Sequence, residues 1–100
     1  MTAQNAQTIF DEVTAHVQKQ GGRASDWYAG ITSDAEQRVF GDHKVSKENG
    51  WWIYRQATSA STARNAEKEL LDWGCDGGSG GGDDSATIVY AYLKAAQTSP

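Results

Sequence analysis

The stretch DWYAGITSDAEQRVFGDH, residues 26–43, decides the fold, because its hydrophobic period changes inside it. Trp27, Ala29 and Ile31 alternate with Tyr28, Gly30 and Thr32, the period of two that marks a strand, with Tyr28 and Gly30 on one face. SDAE then supplies helix-starting chemistry. Ser33 with Glu36 three residues on is a capping-box pattern, and Asp34 suits the positive end of a helix. This helix is expected to run to about Phe40, where Gly41 loosens it.

Upstream, residues 3–20 place Ala6, Ile9, Phe10, Val13 and Val17 at steps of three and four, the stripe of an amphipathic helix that Gly21 and Gly22 stop. His16 on that helix reads as solvent-facing and silent. Downstream, WWIYRQA (51–57) is rich in aromatic and branched residues and is expected to pair directly with the first strand. TSAST offers helix-capping hydroxyls, and Ala63, Ala66, Leu70 and Trp73 form the stripe of a third helix closed by Gly74. Six of the eleven glycines lie between 74 and 82, so a loop is expected there, followed by a last strand in ATIVYAYL.

The order helix, strand, helix, strand, helix, loop, strand predicts an α+β fold: a three-stranded, mainly antiparallel sheet flanked by three helices. One domain over 1–100 is expected, with an N-terminal helix in 1–22, a Gly-rich acidic loop in 74–85 and a frayed tail in 95–100. Neither a secretion signal nor an apolar run near the roughly 20 residues of a membrane span is legible, which predicts a cytoplasmic protein with no membrane partner. Cys75 is the single cysteine and reads as a spare thiol.

The net charge of −4 argues against a simple basic clamp for nucleic acid, but the charges are unevenly spread. Between Glu67 and Asp84 six acids face Lys68 alone, whereas Arg38, Lys44, Lys47, Arg55 and Arg64 face only Asp42 and Glu48. The glycine-rich stretch lacks the lysine and Ser/Thr of a phosphate-binding P-loop, and its aspartates do not have the spacing of a calcium-binding EF-hand. It reads as a spacer able to dock on a basic partner.

Together, YAG in a strand, Arg38 ten residues after Tyr28, His43 beyond it, the strand WWIY, and Glu67 in the helix AEKELL resemble the GIY-YIG nuclease family over roughly residues 27–73. The resemblance implies a compact domain that acts on, or descends from an enzyme acting on, nucleic-acid phosphodiester bonds. Its implied catalytic residues are Tyr28, Arg38 and His43, its metal ligand is Glu67, and its cofactor is Mg2+ or Mn2+. A guanidinium fork such as Arg38 neutralises phosphate oxygens bidentately, and magnesium commonly accepts one or two carboxylates and fills its shell with water. Either Tyr28 or His43 would take up the proton. Gly30, Lys44, Lys47 and Arg55 are expected to meet the substrate.

The chain departs from the family in the Arg38-to-His43 gap, one residue longer than expected and interrupted by Gly41, and where its first, GIY strand would lie, which here holds KQGGRASD. TIVYAYL is expected to fill that place beside the Tyr28 strand, with Tyr90 or Tyr92 on the Tyr28 face. The residues also allow plain structural roles: Tyr28 as a packing residue, Arg38 paired with Asp34, Glu67 paired with Arg64. The alternative function is a non-catalytic protein-binding module on the same fold, contacting its partner through the acidic loop and exposed tryptophans.

Overall fold

A computed structural model describes residues 3–20, 22–47, 50–77, 85–96 and 98. In it α1 (Ala6–Lys19), β1 (Trp27–Thr32), a π-helix (Gln37–Asp42), β2 (Trp52–Gln56), α2 (Ala60–Trp73) and β3 (Ile88–Leu93) follow one another, with a short 3-10 turn at Ala24–Asp26 before β1. The architecture is the expected α+β one, three antiparallel strands with three helices. Among the described residues no helix is long and apolar enough to cross a membrane.

The helix ends form as their residues dictate. The Asn5 side chain accepts from the Thr8 amide to start α1, and Ser59 accepts from the Thr62 amide to start α2. Gly74 closes α2 with a φ of 131°, a backbone conformation that a side chain would strain. Expectation and structure part at the second helix. Asp34, rather than Ser33, caps it by accepting from the Gln37 amide, while Thr32 Oγ1 accepts from the Asp34 amide. The helix also continues through Gly41, wound as a π-helix in which the His43 amide donates to the Arg38 carbonyl.

The strand order is β1-β3-β2, so the expected direct pairing of β1 with β2 does not occur. The last strand lies between them. Val89, Tyr90, Ala91 and Tyr92 are all sealed there; β1, at one edge, is buried along its whole length, whereas every residue of β2 except Ile53 stays partly exposed at the other edge. TIVYAYL therefore does fill the place beside the Tyr28 strand, pairing Tyr92 with Tyr28 and Tyr90 with Gly30. Both outer edges are covered in part. Ala29 N donates to Asp76 O beyond β1, and Gln4 N donates to Gln56 O beyond β2.

The two sheet faces carry separate clusters. On one, Trp27, Ala29, Ile31, Ile53, Val89 and Ala91 pack against Ile9, Val13 and Val17 of α1 and Ala63, Ala66 and Leu70 of α2. On the other, Tyr28, Tyr90 and Tyr92 are covered by Val39 and Val45 from the segment that holds the π-helix. Cys75 is buried beside the helical core, and burial pushes its thiol up to about 11, which keeps it protonated and unreactive.

His16 does not face solvent. It stands edge-on to Trp27 with ring centres 5.6 Å apart, its Nε2 buried without a hydrogen-bond partner. Beyond β3 the chain stays tied down for a few residues: Lys94 N donates to Asp26 O, and Thr98 N donates to Ala95 O. Residues 78–84 of the expected Gly-rich loop, and residues 97, 99 and 100 of the expected frayed tail, lie outside the described residues.

Candidate functional site

Three of the expected site residues meet on the Tyr28 face. β1 contributes Tyr28, the π-helix contributes Arg38, the turn after it contributes His43, and β3 adds Tyr90 and Tyr92. His43 Nε2 lies 2.7 Å from the Tyr90 hydroxyl and Nδ1 lies 3.1 Å from the Tyr92 hydroxyl, so one imidazole joins two tyrosines. Arg38 Nε donates to the Tyr90 hydroxyl at 3.3 Å. Tyr28 stacks on Tyr92 and lies against His43, at 5.3 and 4.8 Å between ring centres.

The π-helix brings Arg38 and His43 together. In an α-helix each residue turns about 100°, so residues five apart point about 140° away from each other. A π turn closes its hydrogen bond over five residues and returns such a pair to roughly the same side. The pair can then approach a single hydroxyl. Lys44, with a φ of 62°, reverses the chain directly after His43, and both its neighbours, His43 and Val45, are buried.

The Tyr90 oxygen accepts from Arg38; in one imidazole tautomer Tyr90 donates to His43 Nε2 and Nδ1 donates to Tyr92, and in the other both directions reverse. The result is a relay from guanidinium to phenol to imidazole to phenol. Burial raises both tyrosine hydroxyls, Tyr90 to about 12 even though the Arg38 hydrogen bond lowers it, and Tyr92 further still. Neither is a ready base. Tyr28 is itself buried, 6% exposed.

Arg38 reaches solvent, its side chain 39% exposed. Its Nη1 pairs with Asp42 at 3.2 Å, four residues on, rather than with Asp34. The Arg38 bond, with help from Gln37, holds the Asp42 carboxyl below its ordinary range. Glu67 stands half-buried on α2, the helix packed against the opposite face of the sheet, and among the described residues it makes no hydrogen bond to Tyr28, Arg38 or His43; burial lifts its carboxyl above the ordinary value. Among the described residues no three or more His, Cys, Asp or Glu side chains gather as metal ligands. A lone Glu67 carboxylate is compatible only with a magnesium ion that keeps most of its water.

Gly30 belongs to the site by being small. A Cβ there would stand 2.5 Å from the Tyr90 hydroxyl oxygen and 2.6 Å from its ring, so the glycine is the space in which Tyr90 lies. Lys44 and Lys47 are exposed beside the cluster, with Lys47 Nζ 5.0 Å over the Phe40 ring. Arg55 is not brought to this face. It stands on the α1 side of β2 with Nε 2.6 Å from Glu12 Oε1. The residues alone left two features unspoken, the central role of His43 and the use of both Tyr90 and Tyr92. The alternation Tyr-Ala-Tyr was their signal. Compared with protein-family models, curated proteins and solved structures, the chain matches none.

Proposed function

We propose that the Tyr28 face is a GIY-YIG-like site that acts on nucleic-acid phosphodiester bonds. The observation that supports this reading is the convergence of Tyr28, Arg38 and His43, which sequence order alone separates by up to fifteen residues, around two tyrosines from the far end of the chain. In this reading Arg38, held at Nε by Tyr90, exchanges its Asp42 contact for a phosphate oxygen and neutralises the charge that develops there. The Tyr28 hydroxyl meets the substrate. His43, with both ring nitrogens engaged by tyrosines, is a positioning residue that fixes the phenols. Glu67 would hold Mg2+ or Mn2+, which supplies Lewis-acid polarisation of the phosphate when bound.

The test is nicking of supercoiled plasmid and of end-labelled DNA and RNA oligonucleotides with Mg2+ or Mn2+. Arg38→Gln, Tyr28→Phe and Glu67→Gln should each lower the rate by about a hundred-fold or more while melting near the wild-type temperature. No cleavage by the wild type, or rates unchanged in the variants, overturns the reading. A second reading, a non-catalytic protein-binding module, draws on the burial of His43, Tyr90 and Tyr92, all at most 2% exposed, which suits a structural polar core. It gains if the variants melt far lower and no nucleic acid is cut.

A further inference from the structure

β2 is an edge strand whose outer side is only partly closed. Two bonds to the β3 segment fix which way its backbone points: Leu93 N donates to Trp51 O, and Ala57 N donates to Thr87 O. Residues 51, 53, 55 and 57 therefore face β3, and Trp52, Tyr54 and Gln56 turn their N–H and C=O outward. Gln4 closes the far end of this edge, donating to Gln56 O and accepting from Thr58 N. Arg55 Nη1 donates to Tyr54 O, which keeps a second lone pair. Among the described residues, no backbone group meets Trp52 or Tyr54 on the outer side.

A cavity follows the same line. Trp52, Ile53, Tyr54 and Arg55 border it in succession, with His16 of α1 at one side. Alternate residues of a strand face opposite sides, so four successive ones border one space only along the strand's open edge. Such a trough fits a further strand, whose own side chains alternate between the two faces.

The side chains of the open stretch say which strand, because about Ile53 they complement themselves. In an antiparallel pair centred there, Trp52 lies beside the second copy's Tyr54 on the aromatic face, and Tyr54 beside its Trp52. Two ring pairs that already stack with planes 7° apart thus join in one cluster. On the α1 face Ile53 meets its own copy, and Arg55 lies over Trp51, the large apolar side chain left 47% exposed. The Arg55 charge is already met by Glu12 at 2.6 Å, so the two edges meet as locally neutral surfaces although the chain is acidic.

We propose that β2 pairs antiparallel with β2 of a second copy about Ile53, turning two three-stranded sheets into one of six strands. Trp52 and the second copy's Tyr54 exchange N–H and C=O bonds on each side of the two-fold axis. Directly opposed residues share a face, so both Tyr28 faces lie on the same side of the dimer. The pairing goes beyond the phosphodiester reading and does not depend on it.

Five paired residues a side make a small interface beside the roughly 800 Å² per partner of a standard one, so the association is weak. Sedimentation velocity from about 1 µM to about 1 mM should show monomer giving way to dimer, half complete at about 10–100 µM. Trp51→Lys sets a second positive charge against Arg55 of the other copy. It should raise that midpoint about ten-fold or more, while circular dichroism and melting stay as in the wild type. The register is read by mixing Trp51→Cys and Arg55→Cys proteins under oxidising conditions. The mixture should give a reducible dimer that neither protein gives alone, and Cys75, buried with its thiol pushed up to about 11, stays out of the reaction. A wild type that is monomeric throughout, a Trp51→Lys protein that dimerises as the wild type does, or the lack of the mixed disulfide overturns the proposal.

Discussion

The two faces of the sheet use alternate residues of the same three strands and differ in nearly every other respect. Toward α1 and α2 the strands present Trp27, Ala29, Ile31, Ile53, Val89 and Ala91, an almost wholly apolar surface closed by two fourteen-residue helices. Toward the π-helix they present Tyr28, Tyr90, Tyr92, Trp52 and Tyr54, rings with polar tips, around a buried histidine. Stability from burial grows with apolar area removed from water, whereas a buried polar network nets little and is costly when half satisfied. The helical face therefore holds the fold together. The aromatic face holds a geometry, and geometry is what binding or catalysis uses.

The sharpest way to break this contrast is Leu70→Ala, in the middle of the helical face. Leu70 is fully buried, and its truncation should cost about 2–5 kcal/mol in urea unfolding, with little change in the spectroscopic signature of the tyrosine cluster in the folded fraction. A cost below about 1 kcal/mol would place the stabilising core elsewhere.

Next in size is Gly30→Ala on the aromatic face, where the added methyl would enter the space of the Tyr90 phenol. Overpacking of this kind costs about 1–3 kcal/mol. The larger expected effect is local: Tyr90 must move off Arg38 and His43, so any nucleic-acid activity should fall more than stability does. Measured beside Tyr90→Ala, which empties the space, the two substitutions should be strongly non-additive. Simple additivity would show that Gly30 and Tyr90 do not compete for room.

The smallest effect is a pH dependence from His16, which stands against Trp27 on the helical face. Its folded-state pKa lies below the ordinary 6.5 because burial, then Arg55 and Lys19, disfavour the charged form. The unfolded chain binds the proton more readily, so the His16 contribution is present above about pH 6.5 and is lost as pH falls below it. The difference in unfolding free energy between the wild type and His16→Asn should shrink from pH 8 to pH 5. A difference independent of pH would mean that His16 titrates normally in the folded protein.

Local pattern carried most of the element assignment. The three-and-four spacing of Ile9, Val13 and Val17, and of Ala63, Ala66 and Leu70, forces one buried stripe on each long helix. Ser59 and Gly74 mark the ends of α2 because capping acts within a turn of chain. The alternation in WYAGIT likewise sorted Tyr28 from Trp27, since a strand can face its side chains only two ways. The placing of TIVYAYL beside β1 was legible too, from the need of a small sheet for a third strand. What no window of sequence held was long-range choice. That β3 lies between β1 and β2 is a pairing of segments some 35 to 60 residues apart, which no local pattern records. That Arg55 turns to Glu12, and His16 to Trp27, depends on where α1 lands. The candidate site divides in the same way: the sequence named Tyr28, Arg38 and His43, but a five-residue spacing converges only in a π-helix, whose wider turn must be held by tertiary contacts. Those contacts come from Tyr90 and Tyr92, some fifty residues away. Side-chain period is a property of neighbouring residues, whereas strand order and the winding of a short helix are set by burial summed over the whole molecule.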